Sequence, residues 1–181
     1  MPRNGLSHPT PTADELRALV VPATSADGAA MQKVLNANGI SCRVLRNLAA
    51  VCETMRDGVG AVVIAEEALV DDAALLTERI RAQDVWSDLP IIVLSPSSRE
   101  QSKLAELIAQ LGNVSVIERP VRMFTLVTAI RSSLRARAHQ YEVRAHLADQ
   151  DVTQRVIREA EQRFRLLVEN VRDYAIFMID V

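Results

Sequence analysis

Five apolar runs, each five to seven residues long, alternate with stretches of helical periodicity over the first 120 or so residues: Leu16–Val21, Ile40–Leu45, Gly60–Ala65, Leu89–Ser95 and Val114–Glu118. Most are apolar at consecutive positions, as a strand is when both faces of its sheet are covered. The segments between them are too long for hairpins. They place Met31 with Leu35, Leu75 and Leu76 with Ile80, and Leu104, Leu107 and Ile108 with Leu111 at helical spacing. Ser25, Asn47, Asp71 or Asp72, and Ser98 with Gln101 supply start signals, and Gly39, Gly58 and Gly112 supply stops.

Strands that alternate with helical crossovers predict a parallel sheet with helices on both faces. The economical solution over residues 15–134 is an α/β, flavodoxin-like, doubly wound five-stranded sheet of order 2-1-3-4-5. Its binding crevice lies at the carboxyl ends of strands one and three. Apolar residues make up 49% of the chain, enough to cover such a sheet. The formal net charge of −2 and the 3% aromatic content give no basic field and no stacking platform for nucleic acid. No apolar run approaches the roughly 18 residues that a membrane span needs. Cys42 and Cys52 match no zinc spacing and read as reduced core thiols of a cytoplasmic protein. Residues 1–14 are polar, carry Pro2, Pro9 and Pro11, and read as a disordered lead-in.

From Met123 to about Val171 the sequence contains no proline or glycine, and one long helix or two nearly continuous ones are expected. Phe124, Leu126, Val127 and Ile130 suit packing on the sheet. Leu134, Ala138, Tyr141, Ala145, Ala148 and Val152 then form a narrow stripe at alternating spacings of four and three, the seven-residue repeat of a coiled coil. The stripe breaks at Arg155 and Glu159. Residues 135–162 therefore predict a two-stranded, parallel coiled coil with a phase change, hence a homodimer. The competing reading is an amphipathic helix lying on its own domain. Phe164, Leu167, Val168 and Val171 continue as a short amphipathic helix, and Ala175–Val181 is a β-like run. A lone terminal strand has an unpaired edge, so residues 163–181 read as the truncated beginning of a further domain.

The five-strand plan, the PIIVLS run (Pro90–Ser95) and the ERP sequence (Glu118–Pro120) resemble the receiver domains of two-component response regulators. The closing EQRFRLLVENVRDYAIFMIDV resembles the opening of a PAS sensory domain. The order of receiver, helical linker and PAS is similar to that of bacterial hybrid sensor histidine kinases. The resemblance implies a phosphoacceptor aspartate ending strand three, an acidic pair after strand one that helps it hold Mg²⁺, a hydroxyl after strand four, and a lysine after strand five. Magnesium is needed there because the charge on a transferring phosphoryl group must be neutralised. In this sequence the acceptor position is Ala65 and the metal-ligand positions are Pro22 and Ala23. Ser95 keeps the hydroxyl, Arg119 replaces the lysine, and Val116 stands where the family has an aromatic switch residue.

The expectation is thus a degenerate, non-phosphorylatable receiver: a regulatory and dimerisation module with no catalytic residues, no metal and no cofactor. It would relay a signal through the helix to other signalling domains, any kinase activity belonging to the rest of the parent protein. Two alternatives stay open, a phosphoacceptor in a phosphorelay and a small-anion or ligand sensor that uses the vacated crevice near Pro22, Ala65, Ser95 and Arg119. Glu66 and Glu67 read as solvated loop residues, and Asp27 as a helix-capping residue. Arg119 would bind an anion, pair with Glu66 or project into solvent. His139 and His146 read as solvated helix residues, and Arg131, Arg135 and Arg137 as a solvated basic face. Trp86 is expected to pack a loop against the third helix.

Overall fold

The computed structural model describes residues 11–96 and 101–170. Its strands are β1 (Ala18–Val21), β2 (Cys42–Val44), β3 (Ala61–Ala65), β4 (Ile91–Pro96) and β5 (Val114–Arg119). Its helices are α1 (Ser25–Ala37), α2 (Leu48–Thr54), α3 (Glu66–Arg81), α4 (Gln101–Leu111) and α5 (Met123–Asn170). A short 3-10 turn, Met55–Asp57, follows α2. All four strand pairs are parallel and the order is β2-β1-β3-β4-β5, the expected doubly wound arrangement.

The period of two along the central strands sorts the core into two layers. Leu19, Val21, Val62, Ile64, Ile91 and Val93 join Leu48, Val51, Leu69, Leu76, Leu104 and Leu111 on the face covered by α2, α3 and α4. Ala18, Val20, Val63, Ile92 and Leu94 join Met31, Leu35, Leu126, Val127 and Ile130 on the face covered by α1 and α5. Each fully buried Leu or Ile contributes about 1.5–3 kcal/mol of transfer free energy, so these two layers decide the fold. Cys42 packs against the second layer and Cys52 against the first, both half-buried, free and on opposite sides of the sheet. Burial raises both thiol pKa values.

Several local expectations are corrected. The N-cap of α1 is Thr24, not Ser25: Thr24 Oγ1 accepts from Asp27 N (3.1 Å) and donates to Asp27 Oδ2 (2.7 Å). Asn47 caps α2 as expected, its Oδ1 accepting from Ala50 N. The span Glu66–Arg81 is two helical segments that meet at a kink at Asp72, with φ −133° and ψ 24°. The expected start at Asp72 holds for the segment carrying Leu75, Leu76 and Ile80, and a preceding helical segment from Glu66 is unforeseen in the sequence. Ser98 and the β-like run Ala175–Val181 lie outside the described residues.

The chain forms two compact units, residues 1–143 and 144–181. Tyr141 is buried within the first. In the second, the described part of α5 exposes Val152, Val156, Phe164 and Leu167. Among the described residues no helix is long and apolar enough to cross a membrane.

Candidate functional site

Register brings the expected site residues to the carboxyl edge of the sheet. Ala65 pairs with Leu94, Ser95 with Glu118 and Pro96 with Arg119. Val21 pairs with Ile64, so Pro22 and Ala23 follow β1 beside the tip of β3. A cavity of about 250 Å³ opens there. Pro22, Ala23, Ala65 and Arg119 line it, whereas Ser95 does not. Among the described residues no group of three or more histidine, cysteine or carboxylate side chains is placed to hold a metal ion. A methyl group at Ala65 offers no oxygen nucleophile, and neither Pro22 nor Ala23 has a side-chain donor for a divalent cation.

The two polar residues retained at this edge are occupied by the chain's own carboxylates. Ser95 Oγ donates to Glu66 Oε2, and Glu66 is buried at 3% exposure. Arg119 Nη2 forms an ion pair with Glu67 Oε1. The expectation of two solvated loop glutamates is corrected for Glu66: helix α3 starts without a loop after Ala65, and its first residue turns in toward Ser95. Glu67 is exposed, but it is the partner of Arg119, which therefore pairs with Glu67 and not Glu66. Both carboxylates lie in the first turn of α3, where the helix dipole favours negative charge.

A second polar cluster, unforeseen in the sequence, sits at the opposite, amino end of the sheet. Arg137 on α5 is buried at 4% exposure. Its Nε donates to Val59 O (3.1 Å) and its Nη1 to Ser87 Oγ (2.9 Å) and Gln140 Oε1 (2.6 Å). The guanidinium lies 5.3 Å from the Trp86 ring centre and 4.6 Å from that of Tyr141. Tyr141 Oη also donates to Val59 O (3.0 Å). Gln140 Nε2 donates to Asp88 O (2.7 Å), and its Oε1 accepts from Asp88 N (2.9 Å). Three residues at spacings of three and four on one helical face thus fasten α5 to the segments that lead into β3 and β4.

This fastening changes the reading of the stripe. Leu134 packs against the core layer shared with α1, and Tyr141 is buried against Trp86, so both serve their own domain. Ala138 is half-buried, Ala145 is buried, and only Ala148 and Val152 of the six are exposed. Arg137 leaves the expected solvated basic face, and Arg131 Nη2 donates to Asn38 O (2.8 Å). Trp86 packs on Tyr141, and its Nε1 donates to Asp84 Oδ2 (3.2 Å). His139 and His146 are exposed, as expected, beside Glu142 and Gln150.

No protein-family model and no curated protein matches the chain. Solved structures do. The signal receiver domain of an HD domain-containing protein from Pseudomonas fluorescens Pf-5 matches with a TM-score of 0.57 at 16% identity, covering 67% of this chain and 95% of that one. A putative response regulator from Chloroflexus aurantiacus J-10-fl gives 0.55 at 18% identity over 66% and 97%. NtrX from Brucella abortus, in complex with ADP, gives 0.56 at 17% identity over 74% of this chain but only 28% of its own. The chain therefore has the fold of response-regulator receiver domains, and it spans little more than a quarter of the NtrX chain.

Proposed function

We propose that the chain is a non-phosphorylatable receiver-like module, a regulatory and dimerisation element at the amino-terminal side of a PAS-containing sensor histidine kinase. The observation that carries this reading is the carboxyl edge of the sheet. Where the family's chemistry needs a carboxylate nucleophile there is Ala65, and the hydroxyl and cation that would receive phosphoryl oxygens are engaged by Glu66 and Glu67. A phosphoryl group would meet no nucleophile, no metal-binding carboxylate pair and no unoccupied donor at Ser95.

On this reading the domain's output is mechanical. The fastening of Arg137, Gln140 and Tyr141 ties α5 to the domain, and exposed apolar residues further along it (Val152, Val156, Phe164, Leu167) supply surface for a second copy in parallel. Such exposed apolar surface is costly to leave in water. Two states of the fastened segment are required for it to transmit anything.

Incubation of the full chain with acetyl phosphate and Mg²⁺, followed by intact mass measurement, tests the first part; no mass gain is expected, and a stable gain of one phosphoryl group overturns it. Sedimentation velocity tests the second. The unaltered chain should sediment as a dimer at micromolar concentration, and Val152→Glu with Val156→Glu as a monomer. A monomer for the unaltered chain rejects dimerisation.

A further inference from the structure

We propose that the emptied crevice is a binding site for a small, neutral, apolar ring compound, of the size of a fused bicycle such as indole. The replacements at this edge do more than remove ligands. Pro22, Ala23 and Ala65 substitute carbon for oxygen at each position where the family has a carboxylate. Around them Ala30, Met31, Leu94, Val121, Met123 and Leu126 complete an apolar wall.

The charged side chains that line the space each have a partner within the chain. Arg119 is paired with Glu67, and Asp27 is bonded to Thr24 in the cap of α1. Glu66 and Ser95, bonded to each other, do not line the space. An anion or a hydrated cation entering here would give up water for a lining that is mostly carbon, which is unfavourable. An apolar ring would instead remove the lining carbon surface from water, a gain of about 25 cal/mol per Å².

Size narrows the class. An apolar cavity of about 150 Å³ accepts benzene, and the space here is about 250 Å³. That is room for one further fused ring. Ala23, Ala30 and Met123 are exposed, so a ligand reaches the cavity without unfolding the core. The location also agrees with the rule that doubly wound sheets bind ligands beyond the carboxyl ends of their strands.

The probe is indole, and the reporters are the methionine methyl groups of the full 181-residue chain. Met31 and Met123 line the cavity, whereas Met55 packs against the layer on the other face of the sheet. With ¹³C-methyl methionine, indole titration should move the Met31 and Met123 resonances with saturation and leave Met55 unmoved. Ala30→Phe should weaken the apparent affinity at least tenfold by filling the space. Ala23→Leu, at another lining position, does the same if the first variant is unstable. The proposal is overturned by no response up to the solubility of indole, by equal movement of Met55, or by an unchanged response in a folded filled variant. It also falls if inorganic phosphate with Mg²⁺ moves these methyl groups and indole does not.

Discussion

The two ends of the β-sheet differ in kind. The carboxyl end is a mostly apolar recess beside which Ser95 bonds to Glu66 and Arg119 pairs with Glu67. The amino end holds a buried arginine, two aromatic rings and a glutamine that bind helix and loops together. Both ends rest on the same two apolar layers. What the contrast teaches is that one such sheet can carry an apolar recess at one end and a polar fastening of its last helix at the other.

Stability measurements by urea unfolding should separate the two ends. Arg137→Met should cost the most, about 3 kcal/mol. It removes charge-assisted hydrogen bonds to Val59 O and Ser87 and the stacking on two rings. A loss under about 0.5 kcal/mol would mean that the amino end fastens nothing. Gly60→Ala comes next at about 2 kcal/mol. A Cβ there would lie 2.4 Å from Leu134 Cδ2 and 2.7 Å from the Leu16 carbonyl carbon. Amide exchange across residues 134–143 should accelerate in that variant. Unchanged protection would show that α5 accommodates the methyl group.

At the other end, Ser95→Ala should cost about 1–2 kcal/mol, because the buried Glu66 loses its hydroxyl donor. An effect larger than that of Arg137→Met would reverse the comparison. Arg119→Gln should cost the least, below about 1 kcal/mol, since Glu67 is 44% exposed and pairs in that setting contribute little. A loss above about 2 kcal/mol would make the pair a structural strut.

Much of this architecture was legible before any coordinates. Consecutive apolar residues located the strands, and Gly39, Gly58 and Gly112, all at positive φ, end the helical segments where expected. The crevice was found through positions in register, since β3 and β4 must end beside each other in a parallel sheet. The partners of Ser95 and Arg119 were hidden because the start signal near Asp72 concealed that α3 begins at Glu66, and one helical turn re-aims both glutamates. The amino-end cluster was hidden for another reason. An apolar stripe records that a face is covered, but not whether the cover is a second chain or the helix's own domain. Arg137, Gln140 and Tyr141 at one-turn spacing, with a single tryptophan in a loop, were the available signal.

Arg137 has no carboxylate within ion-pair distance among the described residues. Its charge rests on a carbonyl, a hydroxyl, an amide oxygen and the faces of two rings. Dissolved ions weaken exposed opposite charges, but they have little hold on a buried cation solvated by neutral dipoles. The fastening of residues 137–141 of α5 to the sheet therefore keeps its strength as ionic strength rises, whereas the Glu67–Arg119 pair at the other end does not.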